Sequence, residues 1–151
     1  MTTKLSGQCL CGAIAYHITT EIKSIVHCHC LQCRRWHGAA FRSRAAIPSK
    51  DFSWTQGEHH LSQYCSSDNV IKTFCSICGS NLISILKDQP DMIGLPIAAI
   101  EQNIQPQSVM HIFVDSKASW YEIQDNAPQH QEWPPGGADA VRNQHNQTPD
   151  T

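Results

Sequence analysis

Seven of the eight cysteines in this 151-residue chain fall into three tight clusters: Cys9-x-Cys11, Cys28-x-Cys30-x-x-Cys33 and Cys75-x-x-Cys78. The two pairs supply four thiolates, enough to close one tetrahedral zinc site. The triplet supplies three, the ligand count of a site that keeps one position open. A one-residue spacer in extended chain makes a strained ring, so Cys9 and Cys11, or Cys28 and Cys30, are poorly matched as disulfides. In a strand the same spacing puts both thiols on one face, because side chains alternate with a period of two. Each outer pair also ends on a glycine, Gly12 or Gly79, which tolerates the positive φ of a tight metal knuckle. Cys9, Cys11, Cys75 and Cys78 are therefore expected to hold a structural metal. Four thiolates favour zinc, and iron is allowed on ligand grounds.

The segment His27-Cys28-His29-Cys30-Leu31-Gln32-Cys33 offers three thiols and two imidazoles. In an extended strand Cys28 and Cys30 share one face while His27 and His29 share the other. Cys33 comes round as the chain turns into a helix. Cys28, Cys30 and Cys33 are expected to bind a second zinc whose fourth vertex takes a water or an exogenous thiol. The competing readings are a redox centre, or a site closed by a distant histidine such as His111. Three thiolates make zinc a poor Lewis acid, so a thiolate substrate suits it better than a hydroxide. Arg34, Arg35 and Arg42 or Arg44 lie nearby in sequence and could offset the charge or hold a carboxylate. The chemistry points to a small anionic thiol.

The elements that must position these residues are mostly short strands. Gln8–Thr19, Ile22–Cys28, Ala39–Ile47, Phe52–Thr55, Leu61–Cys65, Val70–Phe74, Asn81–Leu86, Ile93–Ile97, Val109–Val114 and Trp120–Ile123 read as strands between turn signals such as Gln56-Gly57 and Lys87-Asp88-Gln89-Pro90. One short helix is expected over Leu31–His37, with Gly38 as its C-cap. From Pro134 the composition changes to Pro-Pro-Gly-Gly-Ala and a polar run, which reads as a disordered or loosely docked tail. Cys65, outside the clusters, is expected to be a small buried hydrophobe. His59-His60 reads as a solvated turn, and Lys117 and Trp120 as residues that could line a pocket.

Apolar content of 40% and charged content of 16% indicate a globular body. The net charge of −2 and pI near 6.5 give no basic footprint for nucleic acid. Seven thiolates and two Zn²⁺ would take the formal charge to about −5. The first residues lack the apolar stretch of a signal peptide, and no apolar run approaches the ~20 residues of a membrane span. A cytoplasmic location is expected, where clustered cysteines are metal ligands or redox centres more often than disulfides. No nucleic-acid or membrane partner is expected, and a homo-oligomer is compatible with the sequence.

These residues resemble the glutathione-dependent formaldehyde-activating enzyme family, also called the GFA or CENP-V-like family. The likeness rests on Gly7-Gln8-Cys9-Leu10-Cys11-Gly12, on His27 through Arg35 with His37-Gly38-Ala39-Ala40-Phe41, and on Phe74-Cys75-Ser76-Ile77-Cys78-Gly79-Ser80. The late segment His111–Ile123 is similar as well. The resemblance implies a mainly β, Mss-four-like fold of packed antiparallel sheets, with zinc sites at hairpin tips and one short helix. It delimits a zinc domain over residues 5–133, followed by a flexible C-terminal tail over 134–151. It implies that Cys9, Cys11, Cys75 and Cys78 bind a structural zinc and Cys28, Cys30 and Cys33 a catalytic one, two ions per chain. The implied activity is that of a carbon–sulfur lyase joining glutathione and formaldehyde reversibly into S-hydroxymethylglutathione, or handling a related thiol adduct. The proton donor is unassigned, His29 and His37 being nearest in sequence. The alternative is a non-catalytic, zinc-stabilised binding module. A chromatin-binding role is disfavoured because the tail lacks a Lys/Arg run.

Overall fold

The computed structural model describes residues 4–143. In chain order the elements are β1 (Leu5–Gln8), β2 (Ala15–Ile18), β3 (Ser24–Cys28), α1 (Leu31–His37), β4 (Arg42–Pro48), β5 (Phe52–Gln56), β6 (Leu61–Cys65), β7 (Val70–Cys75), β8 (Asn81–Leu86), β9 (Gln89–Pro96), β10 (Ser108–Ile112) and α2 (Gly137–Asn143). The chain divides into two compact units. One holds the residues up to Ile22 together with Ile47–Ile104, and the other holds Lys23–Ala46 with the residues from Gln105 onward. Among the described residues, no helix is long and apolar enough to cross a membrane.

In the first unit β2 pairs antiparallel with β1 and with β5. Its alternation buries Tyr16 and Ile18 and leaves Ala15 and His17 half-buried, as a strand with one covered face requires. The Tyr16 ring stacks on Phe52 at 5.3 Å and meets Trp54 edge-on at 6.2 Å. Strands β6, β7, β8 and β9 form an antiparallel meander. Cys9 and Cys11 lie in the connection between β1 and β2, and Cys78 in that between β7 and β8, so both outer cysteine pairs sit at hairpin tips.

In the second unit β3 lies between β4, which runs antiparallel to it, and β10, which runs parallel. Cys28 stands opposite Arg42 and Ile112, and Val26 opposite Arg44. His27 stands opposite Ser43 and His111. The ladder thus has a sulfur face and an imidazole face. The sulfur face packs Val26, Cys28, Cys33, Ile112 and Val141 into one buried cluster.

The mainly β reading holds, with differences in several elements. The β3–β10 pair is parallel where only antiparallel pairing was expected, and there are two helices rather than one. Gln8–Thr19 holds only the last residue of β1, then the first knuckle and β2, and Trp120–Ile123 is not a strand. There the Tyr121 amide donates back to the Ala118 carbonyl, and the Lys117 ammonium donates to the carbonyls of Ala118 and Tyr121, which occupies groups a ladder would need. Within the segment read as a tail, Gly137–Asn143 is helical and buries Val141; residues 144–151 lie outside the described residues. Helix α1 has the expected bounds, and Gly38 ends it at φ 59° with its amide on the Arg34 carbonyl.

Candidate metal centres

The first unit brings Cys9, Cys11, Cys75 and Cys78 together, with their sulfurs all within 4.8 Å of one another. The two knuckles are built alike. Gly12 and Gly79 both adopt φ 78°, the left-handed conformation in which glycine carries no Cβ penalty. Their amides donate to the Cys9 carbonyl at 3.0 Å and the Cys75 carbonyl at 2.8 Å. The Ile14 amide points at Cys9 Sγ from 3.3 Å. Zinc–sulfur bonds of about 2.3 Å place tetrahedral sulfurs about 3.8 Å apart. Cys9 and Cys11 are separated by 3.6 Å, and Cys11 and Cys75 by 3.9 Å. Donor set and spacing therefore fit zinc.

Ser80 joins the knuckles, a role that sequence reading did not assign although the residue stands two places after Cys78. Its hydroxyl oxygen accepts the Leu10 amide at 2.8 Å and the Cys78 thiol at 3.2 Å. Once the thiolate forms, the Ser80 hydroxyl turns to donate to it, and this bond, then the Ser80 amide, pull Cys78 down to about 5. The Ala13 amide also pulls on Cys11, but burial and the neighbouring thiols outweigh it and raise Cys11 to about 11. Four adjacent sulfurs divide their ionisation this way because each thiolate formed disfavours the next.

The second unit brings Cys28, Cys30 and Cys33 within the same 4.8 Å limit. Cys28 ends β3. Cys30 caps α1 with extended backbone (φ −64°, ψ 153°), its sulfur accepting the Cys33 amide at 3.4 Å, and Cys33 lies in the first turn. Cys28 and Cys33 are buried and Cys30 is half-buried. Hydrogen bonds with Cys30 and Cys33, and then burial, push the Cys28 thiol far up, so the cluster cannot ionise fully without a positive charge among its sulfurs. Three convergent sulfurs fit one zinc. Among the described residues, no His, Asp or Glu joins this group as a fourth donor.

Arg42 is the cation set opposite Cys28. It is buried, its guanidinium lies 5.0 Å from the centre of the Trp36 ring, and burial lowers it to about 10, which leaves it charged at neutral pH. Arg44 follows on the same face at the Val26 position. Arg34 is half-buried and Arg35 exposed. Of the four arginines considered from sequence, strand register places Arg42 directly across from a cysteine. Phe113, packed against the sulfur cluster, holds φ 55°, the one positive φ outside glycine among the described residues.

The histidines occupy the opposite face. His29 Nε2 is 2.8 Å from His111 Nδ1, and His111 Nε2 is 3.0 Å from Asp125 Oδ2. Both ring nitrogens of His111 are thus engaged away from the sulfurs, which counts against its closing the triplet. His27 Nδ1 meets Ser43 Oγ at 2.7 Å. Burial lowers His27 and, with His111 close by, brings His29 to about 4, so both rings are neutral at pH 7. His37 ends α1 against Trp36. The Lys117 ammonium is held by its own loop, and Trp120 is exposed. Cys65 is exposed at the end of β6, not buried as its residue type suggests, because that half of the strand faces outward. The His59 and His60 rings lie 3.9 Å apart, tilted by 42°, in a 3₁₀ turn outside both cysteine groups.

Comparison with curated proteins finds no match. Among solved structures, a structural-genomics crystal structure of a Rhodobacter sphaeroides protein is similar, with a TM-score of 0.55 and 23% sequence identity over 68% of this chain and 92% of that one. That likeness establishes a shared fold. The family model described as glutathione-dependent formaldehyde-activating enzyme matches residues 4–116, a span that contains all seven clustered cysteines. On that match the chain belongs to the glutathione-dependent formaldehyde-activating enzyme family.

Proposed function

We propose that this chain is a cytoplasmic, zinc-dependent carbon–sulfur lyase that makes or breaks a glutathione–aldehyde adduct, S-hydroxymethylglutathione or a close relative. The observation that carries the reading is the convergence of three sulfurs with no fourth donor among the described residues, beside a buried arginine. Cys28, Cys30 and Cys33 would hold the catalytic ion, and Cys9, Cys11, Cys75 and Cys78 a structural one. Zinc at the triplet would supply a depressed thiol pKa and a site for a soft sulfur nucleophile.

The chain's own residues do the rest. Arg42 offsets the excess negative charge of three thiolates and a substrate sulfur. The apolar side chains of Val26, Ile112 and Val141 exclude water from one side of the cluster. In the forward reaction the substrate sulfur adds to the aldehyde carbon, the carbonyl electron pair moves to oxygen, and the thiol's proton ends on that oxygen. The reverse reaction breaks the carbon–sulfur bond and returns the proton to sulfur.

The test is adduct formation from glutathione and formaldehyde by zinc-loaded protein, followed beside a Cys30→Ala variant. The expected result is a rate above the spontaneous reaction that the variant loses. Equal rates for the two proteins would sink the proposal. Burial of Cys28 and Cys33 favours a second reading, a non-catalytic module in which the triplet only binds metal. That reading predicts two bound ions and no acceleration.

A further inference from the structure

The Cys28–Cys30 segment is gripped from its imidazole face by a chain of hydrogen bonds that begins at the surface. The Asp125 side chain is 53% exposed, and its carboxylate can only accept. His111 Nε2 therefore donates, lying 3.0 Å from Oδ2 and 3.2 Å from Oδ1. In a neutral His111 ring that leaves Nδ1 as an acceptor for His29 Nε2, which lies 2.8 Å away. Both imidazoles are fully buried, at 1% and 0% exposure. The backbone repeats the connection: the His29 amide donates to the Ile112 carbonyl at 3.0 Å, and the His111 amide to the Pro128 carbonyl at 2.8 Å. The Ala127 amide fixes Asp125 in turn by donating to Oδ1 at 3.0 Å.

His29 is the one residue between Cys28 and Cys30, so its orientation sets that of the two peptide units that carry their sulfurs. We propose that Asp125 and His111 are positioning residues of the three-thiol centre: their hydrogen-bonded chain to His29 holds Cys28 and Cys30 in the geometry in which they meet a metal. Asp125 lies beyond the residues matched by the family model. The inference rests on the reading of the triplet as a metal centre. Groups that orient metal ligands from outside the coordination sphere cost 10–100-fold in metal affinity, roughly, when they are lost.

The test is a Co²⁺ titration of the full chain, followed by thiolate-to-cobalt charge-transfer absorption and the visible ligand-field bands. Cys30→Ala serves as the reference for the four-sulfur site alone. Asp125→Ala is expected to bind cobalt at the triplet about 10-fold more weakly and with altered visible bands, while the four-sulfur site in the same molecule is unchanged. Asp125→Asn, which keeps an acceptor oxygen, is expected to recover most of the affinity. An Asp125→Ala titration that matches the wild type overturns the inference, as does equal weakening at both sites or failure of the asparagine to rescue. If the wild type takes up one cobalt ion and not two, the metal reading of the triplet falls and the inference falls with it. Two ions with an unaffected variant remove the inference alone.

Discussion

Val141 is the most direct probe of whether the C-terminal helix belongs to the sulfur cluster. It is 1% exposed and packs with Val26, Cys28, Cys33 and Ile112. Val141→Ala removes two buried carbons, about 1.6 kcal/mol at about 0.8 kcal/mol each. A residual cavity of about 40 Å³ adds about 1 kcal/mol at about 24 cal/mol per Å³. For a chain of this size each kcal/mol moves Tm by about 2–4 °C, so the variant should melt about 5–10 °C lower. The assay is thermal unfolding of metal-loaded protein followed by circular dichroism. Asp139→Ala on the same helix is the control. That side chain is 71% exposed and makes an ion pair with Arg142 at 3.5 Å, worth a few tenths of a kcal/mol by the usual scale of exposed helix pairs. A Val141→Ala drop below about 2 °C, or one no larger than the control's, would refute the docking of α2.

Two further outcomes follow from the first unit. Ser80→Ala unties the knuckles and should speed zinc loss to a chelator from the four-sulfur site while leaving the triplet's loss rate unchanged, as read by a chromogenic metal indicator; equal rates at both sites would contradict the bridging role. Tyr16 Oη is buried with no hydrogen-bond partner among the described residues, and burial, then Glu101, raises its pKa to about 12. The unfolded phenol ionises near 10, so between about 10 and 12 the unfolded state binds fewer protons than the folded one. The stability linked to this group is fully present below about pH 10 and is lost as pH rises to about 12. Tyr16→Phe should flatten that slope in alkaline melts and be neutral or stabilising at pH 7, because no hydrogen bond is lost. A variant with the wild-type slope would show that the phenol titrates normally.

Both candidate centres were legible from cysteine spacing, because a C-x-C or C-x-x-C pair is a local arrangement whose geometry follows from strand or turn periodicity. Helix α1 was legible for the same reason, through the run Leu31–His37 and the glycine that stops it. Helix α2 was not. Gly137 through Asn143 has the composition of a tail, and what holds it is one buried valine, a tertiary effect that propensity does not carry. The exposure of Cys65 was missed for a similar reason: residue type suggests burial, but the outer half of β6 has nothing over it.

The sequence by itself determined the number of sulfurs at each centre, which is four in one and three in the other, and the knuckle glycines that bend the chain around the first. Those are properties of neighbours along the chain. Only the tertiary structure decided that Arg42 stands opposite Cys28, that Ser80 bridges two hairpin tips, and that Asp125 reaches His29 through His111. His29 and His111 are 82 residues apart, and Leu10 and Ser80 are 70 apart. Their meeting depends on the register of strands brought together from distant parts of the chain. A slip of one residue would exchange the sulfur and imidazole faces, and no local pattern encodes that choice.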